Sequence, residues 1–205
     1  AGPNFGSSFG STTLSQKDVK TAEETPDVTK TASFGIISSV VTQANLSSNT
    51  AYIVSTEPSY FSIRDIKLEN GGIFSSTDNQ QKKYVAVIGA DTKQNLFGDS
   101  EAVGKTIGIR GKNFTVLGVT KKSDSGLNLG ASSDDIVYIP YQTGVDLRGS
   151  DQVFRILIQV NDAKNIGNVK SSLESSIKAN HGGAQDFSVL TQEELLSTFN
   201  SILDF

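Results

Sequence analysis

One histidine, three adjacent carboxylate pairs and a lysine beside a glycine-bracketed segment are the residues of this 205-residue chain whose types and spacing could do chemistry. The lysine lies in Gly98-Asp-Ser-Glu-Ala-Val-Gly104-Lys105-Thr106, which has the outline of a phosphate-cradling loop. Such a loop needs four residues between its glycines and must lead from a strand into a helix whose free amides face the phosphate. Here five residues intervene and Ile107-Gly-Ile109 alternates like a strand, so the segment reads as a turn with Lys105 in solvent. His181 stands alone, which removes two-histidine metal sites and a symmetrical general acid and base. It lies in Asn180-His-Gly-Gly183, where a helix should end, and an imidazole there can cap free carbonyls or respond to the helix dipole. No serine nearby sits in a Gly-x-Ser-x-Gly elbow, so capping is favoured over catalysis. An apolar cleft converging on His181 and Asp186 would be needed to revive a hydrolase reading.

The carboxylate pairs are Glu23-Glu24, Asp134-Asp135 and Glu193-Glu194. Adjacent residues on a helix point in different directions, so the two glutamate pairs read as solvated charges of a last and a first turn. Asp134-Asp135 falls in a Gly/Ser-rich loop and could bind calcium weakly, although the spacing of an EF-hand is missing. The sequons Asn45-Leu-Ser47 and Asn113-Phe-Thr115 matter only in a eukaryotic secretory setting, which nothing else in the sequence supports. No catalytic, cofactor-binding or metal-binding residue is therefore assigned, no cofactor is expected, and the chain reads as a binding or mechanical part rather than an enzyme.

The elements that would carry these residues are uneven along the chain. Residues 1–13 are rich in Gly and Ser and read as a flexible lead-in. Ser15-Gln-Lys-Asp18 has the form of a capping box, which predicts a short helix to about Glu24, before Pro26. Val28–Val41 and Thr50–Thr56 are rich in β-branched residues and predict two strands joined around Asn45–Asn49, most simply as a hairpin. Pro58–Phe61 suits a turn of helix, and Gly71-Gly72 breaks the chain. Tyr84-Val-Ala-Val-Ile88 is a compact apolar run, as expected of a strand buried on both faces. A short helix over Lys93–Phe97 follows, then a hairpin of Thr106–Arg110 and Phe114–Val119 across Gly111-Lys112-Asn113. Lys121–Asp135 reads as polar and exposed, and Ile136-Val-Tyr-Ile-Pro140 as a strand.

In the last third, Phe154, Ile156, Ile158 and Val160 alternate with polar positions and with Leu157, predicting one strongly apolar strand face. Ala163, Ile166, Val169, Leu173 and Ile177 recur at steps of three and four, predicting a helix stripe that ends near Gly182-Gly183. Phe187–Leu190 is strand-like. Thr191-Gln-Glu-Glu194 is a second capping box, opening an amphipathic helix with Leu195, Leu196, Phe199, Ile202 and Leu203 that is still in progress at residue 205. The pattern predicts an α+β chain with an inserted strand-rich part.

Composition bounds the partners. The net charge of -4 offers no basic face with which to displace counterions from phosphates, so no nucleic acid partner is expected. No window approaches the ~20 consecutive apolar residues that span a bilayer. The chain starts at Ala1 without a methionine or a signal and reads as an excised segment, while its lack of cysteine suits an extracytoplasmic bacterial setting.

Several segments, in order, resemble the periplasmic core domain of MacB-like and FtsX-like ABC transporter permeases. They are Leu14-Ser-Gln-Lys-Asp18 with Pro26-Asp-Val28, Leu68-Glu-Asn-Gly-Gly-Ile-Phe74 with Asp78, and Val85-Ala-Val-Ile-Gly89. Leu96-Phe-Gly98, Val103-Gly-Lys105, Phe114–Val119, Val137-Tyr-Ile-Pro140 with Thr143, and Asp186-Phe-Ser-Val189 complete the series. The family's usual arginine before the Phe74 position is absent here. The resemblance implies a porter-like subdomain from both chain ends (14–71 and 150–190), an inserted sabre-like subdomain (72–149), and a helix (191–205) leading towards a membrane helix. It further implies a domain on the periplasmic face of the inner membrane, tethered to that membrane in the parent protein. There it would relay ATP-driven motion as a homodimer and dock a periplasmic adaptor during export of a substrate that the sequence does not specify. A stand-alone adhesive or ligand-binding module is the competing expectation, favoured by the Gly/Ser-rich start.

Overall fold

Three reciprocal hydrogen-bond boxes open helices in the computed structural model, which describes residues 13–48, 51–122 and 134–203. In α1 (Gln16–Glu23) the Ser15 N–H donates to Asp18 Oδ2 at 2.9 Å. In α7 (Gln192–Leu203) the Thr191 N–H donates to Glu194 Oε2 at 2.8 Å and Thr191 Oγ1 accepts from the Glu194 N–H. Both follow the sequence expectation. A third, Ser75 with Asp78, opens α3 (Ser76–Gln80). Each box satisfies amides that a first turn otherwise leaves without partners.

Between these helices run β1 (Val28–Ile37), β2 (Val41–Gln43), β3 (Leu46–Ser48), β4 (Tyr52–Thr56), α2 (Ser59–Ile63) and β5 (Leu68–Gly71), followed after α3 by β6 (Val85–Ile88) and α4 (Ala90–Phe97). Next come β7 (Thr106–Ile109), β8 (Lys112–Thr120), β9 (Ile136–Pro140), α5 (Tyr141–Arg148), β10 (Arg155–Val160) and α6 (Ile166–Asn180). Hydrogen-bonded neighbours in the ten-stranded sheet run β10-β1-β4-β9-β6-β8-β7-β2-β3, with β5 added to β8. The sheet is mixed: β4 with β9 and β6 with β8 are parallel, whereas β1 with β4 and β7 with β8 are antiparallel. The chain is therefore α+β, as its sequence predicts.

The predicted pairing of the 28–41 and 50–56 segments exists, with Phe34 opposite Thr56 and Ile37 opposite Ile53, but the small β2/β3 hairpin lies between them. The β7/β8 turn is one step earlier than expected. Arg110 and Gly111 both take left-handed backbone, φ 49° and 72°, and Ile109 faces Lys112. That is the two-residue turn whose twist matches flanking strands, and glycine in its second place removes the Cβ penalty there.

The chain forms two compact units. The described residues up to Thr31 and from Ile158 onward make one, and Ala32–Leu157 the other. The strand pairing explains where the division falls, since β4 is laddered along its whole length to β9.

In the larger unit, alternation along the central strands sends successive side chains to opposite faces. Ile53, Ala86, Ile88, Val137, Ile139 and Phe114 join one buried cluster; Val54, Val87 and Tyr138 join the other. Strand β6 feeds both, which is why its residues read as an unbroken apolar run. In the smaller unit, Val19 and Ala22 of α1 and Val169, Leu173 and Ile177 of α6 are buried. Ala163 and Ile166, expected on the same stripe, are exposed instead, because they precede the stretch of α6 that meets α1.

Two further expectations are corrected. Residues 187–190 form no strand, since no ladder partner meets them. In β10 the predicted apolar face is only half-buried, and it is Leu157, on the other face, that packs against the Tyr60–Phe61–Phe74 cluster. The lead-in before Thr13 and most of the 121–135 loop lie outside the described residues, as do the side chains of Phe199, Ile202 and Leu203.

Candidate functional site

The chemistry-bearing residues of the smaller unit meet at the end of α6. Helix α6 stops at His181, whose backbone N–H still bonds to the Ile177 carbonyl at 3.0 Å, and Gly182 and Gly183 then take left-handed backbone and turn the chain back. The return brings Asp186 to the ring: Nδ1 of His181 lies 2.6 Å from Asp186 Oδ1. Nε2 lies 3.1 Å from Asp18 Oδ2 on α1. The imidazole therefore bridges two carboxylates and does not cap helix carbonyls. The edge of the Phe187 ring closes a third side, 5.4 Å between centroids.

Asp18 is the hub of this arrangement. Its side chain has no exposed surface and accepts from the Ser15 N–H and hydroxyl, from Asn180 Nδ2 at 2.9 Å and from His181. Asn180 Nδ2 also reaches Thr21 Oγ1 at 2.8 Å. Burial alone would push the Asp18 carboxyl up, but these donors, His181 first among them, hold it below the usual carboxylate range. Asp186, 39 % exposed, is held down chiefly by the histidine. His181 is held above its ordinary value by Asp186 first and Asp18 second. Farther along, Thr13 Oγ1 donates to the Asp186 carbonyl and Lys170 of α6 pairs with Glu194 of α7 at 2.6 Å.

Both ring nitrogens of His181 face carboxylates, so neither is free to take a proton from a nucleophile, and the cluster lacks the geometry of a general base. The capping box revealed Asp18 as a carboxylate. Nothing in the spacing announced that its second duty is to His181, because the two are brought together only by α1 packing on α6. Lys170 and Glu194, 24 residues apart, likewise carry no sequence signal of their pairing.

The other candidates separate. Gly98–Thr106 is a turn with Gly98 and Gly104 at positive φ, an exposed Lys105 and β7 after it, as predicted. Glu23 and Glu24 are exposed, Glu23 accepting from Thr31 Oγ1. Asp134 and Asp135, expected in an exposed loop, are buried at 5 % and 9 % exposure. Asp135 Oδ1 accepts from Thr92 Oγ1 at 3.0 Å, and the Asp134 carbonyl accepts from the Asp91 N–H at the start of α4. They hold β9 and α4 together and are not laid out as calcium ligands; among the described residues no group of three or more acidic or imidazole side chains could hold a metal. Gly89 makes this possible, since a Cβ there would lie 2.1 Å from the Asp134 carbonyl oxygen. Gly89→Ala is expected to lower stability by about 1–3 kcal/mol in thermal unfolding; unchanged stability would mean that the Asp134 backbone can withdraw.

The sheet is mixed and takes its strands from both halves of the chain, and α1 and α6 pair within the smaller unit. The chain belongs to the family described as MacB-like periplasmic core domain, which matches it over residues 2–176. Among curated proteins it is similar to the macrolide export ATP-binding/permease protein MacB of Neisseria gonorrhoeae, 33% identical over 139 residues, 67% of this chain and 21% of that protein. MacB of Wolinella succinogenes is 26% identical over 159 residues, 77% of this chain and 25% of that protein. The chain thus spans about a quarter or less of the length of these relatives. The periplasmic region of MacB from Actinobacillus actinomycetemcomitans shares the fold with a TM-score of 0.84 at 22% identity, covering 97% of this chain and 89% of that one. The extracellular domain of the noncanonic ABC-type transporter YknZ from Gram-positive bacteria shares it at 0.76 and 17%, covering 87% and 89%. No helix among the described residues is long and apolar enough to cross a membrane.

Proposed function

We propose that this chain is the external domain of a MacB-type ABC transporter permease on the periplasmic face of the inner membrane. It relays motion driven by ATP hydrolysis elsewhere, works as a homodimer, docks a periplasmic adaptor during export, and performs no catalysis itself. In that reading 14–71 with 150–190 would be the porter-like part, 72–149 the sabre-like insertion, and 191–205 the helix continuing towards the membrane. The observation that carries the reading is α7: it is fixed at its first turn by the Thr191–Glu194 box and tied to α6 by Lys170, so that a displacement of the helix is passed into the unit rather than absorbed. A continuous helix transmits displacement because every residue is held by hydrogen bonds along the axis.

Leu196→Pro tests this. Proline inside α7 removes a helix hydrogen bond and clashes with the preceding turn, worth about 3 kcal/mol or more. In a transporter carrying this domain, the variant is expected to keep ATP hydrolysis and lose most export. Full export by that variant would defeat the relay reading.

A further inference from the structure

Two carboxylates on one imidazole require two N–H donors, and only the imidazolium has two; the neutral ring has one. When His181 loses a proton, one carboxylate must therefore face a ring lone pair. The two arms are unequal. Asp18 has no exposed side-chain surface, so withdrawing its donor would leave a buried charge short of a partner, whereas Asp186 is 39 % exposed and can be hydrated in place. The proton that leaves is the one on Nδ1, and the arm that opens is the one to Asp186. Among the described residues little else holds the segment that carries Asp186. Residues 184–190 have no regular secondary structure, and their other bonds to described residues are the Ala184 N–H to the His181 carbonyl, Thr13 Oγ1 to the Asp186 carbonyl and Gln185 Nε2 to the Phe187 carbonyl at 3.4 Å. The segment runs directly into Thr191, the cap of α7.

We propose that His181 is a protonation-controlled latch: as an imidazolium it clasps residues 184–190 to the α1–α6 pair through Asp186, and as a neutral ring it keeps Asp18 and releases them. The charged groups facing the ring are Asp18 from α1 and Asp186 from the returning segment; Phe187 meets it edge-on, and its neighbour on α6, Asn180, is neutral. A folded-state value held above the ordinary 6.5 means that the clasp is whole below 6.5 and opens as pH rises through the raised value. The latch rests on the geometry at His181 and not on the transport reading, although the segment it holds leads into the helix on which that reading turns.

His181 is the only histidine, so its ring can be followed in the whole chain by nitrogen and carbon NMR without assignment ambiguity. Three results are expected: a midpoint above 6.5, a neutral form carrying its proton on Nε2, and heteronuclear NOEs of the 184–190 amides that fall through that midpoint while those of α1 and α6 hold. Asp186→Asn should move the midpoint down and leave the 184–190 NOEs low at every pH. The latch is overturned by a proton on Nδ1 in the neutral form, by NOEs that stay flat through the titration, or by an Asp186→Asn chain that behaves like the original. Should that variant fail to fold by circular dichroism, the titration of the unaltered chain decides alone.

Discussion

Asp18→Ala is expected to destabilise the unit formed by the chain's ends by about 3 kcal/mol, the range found when one member of a buried ionic pair is removed. The change removes a fully buried carboxylate and leaves the Ser15 N–H, Asn180 Nδ2 and His181 Nε2 without the acceptor they share. Each abandoned donor adds its own desolvation penalty. The loss should also change shape with pH. In the unaltered chain Asp18 and Asp186 are held below the ordinary 3.8, so their contribution is complete above 3.8 and fades as pH falls through the lowered values. His181, held above 6.5, contributes fully below 6.5 and fades as pH rises through its raised value. The cluster is therefore at full strength between 3.8 and 6.5, and urea unfolding followed by circular dichroism should find the gap between the two chains widest there. A gap that narrows at low pH but stays level above 6.5 would show that Asp18 acts as a helix cap without His181.

Phe74→Ala is expected to cost about 3–5 kcal/mol, and this loss belongs to the 32–157 unit. Phe74 has no exposed surface and sets its ring edge-on against Phe61 at 5.5 Å, which in turn meets Tyr138 of β9 at 5.1 Å. Truncation removes one end of a packed aromatic chain and leaves a cavity under α2. Phe74→Leu, which refills most of the volume, should cost about 1.5 kcal/mol or less. Denaturant midpoints measure both; near-equal losses for the two variants would mean that the site collapses around the missing ring.

What the sequence made legible was whatever depends on neighbours in the chain. Capping boxes at Ser15 and Thr191 could be read because both partners lie within one turn, and β6 because a run of four apolar residues has few other uses. The alternation of β7 and β8 predicted their hairpin with a one-residue error in its turn. Helix α5 escaped notice because it follows Pro140 and carries Gly144 inside, both poor signs of a helix; the glycine is there because a Cβ would lie 2.2 Å from Ser55 Cβ. Asp134-Asp135 looked like solvated loop charge since burial of a carboxylate depends on donors such as Thr92, distant in sequence. The His181 cluster shows the same limit: its ring and Asp186 are five residues apart and could be considered together, whereas Asp18 arrives from the other end of the chain. The family resemblance reached the fold because it reads order and spacing over many segments at once.

The parallel pairing of β4 with β9 also dictates a schedule. On a ribosome, Tyr52 has no ladder partner on β9 until Ile136 has been made, Phe34 waits for Phe154, and Asp18 waits for Asn180 and His181. Each of these closures pays its loop entropy before it gains contacts, so assembly of the native sheet is slow relative to that of a helical bundle of similar length. At about 5–20 residues per second of synthesis, β4 stands as an open strand edge for several seconds. Until β9 joins it, the unpaired edge of β4 is the part of the growing sheet most open to pairing with the wrong strand.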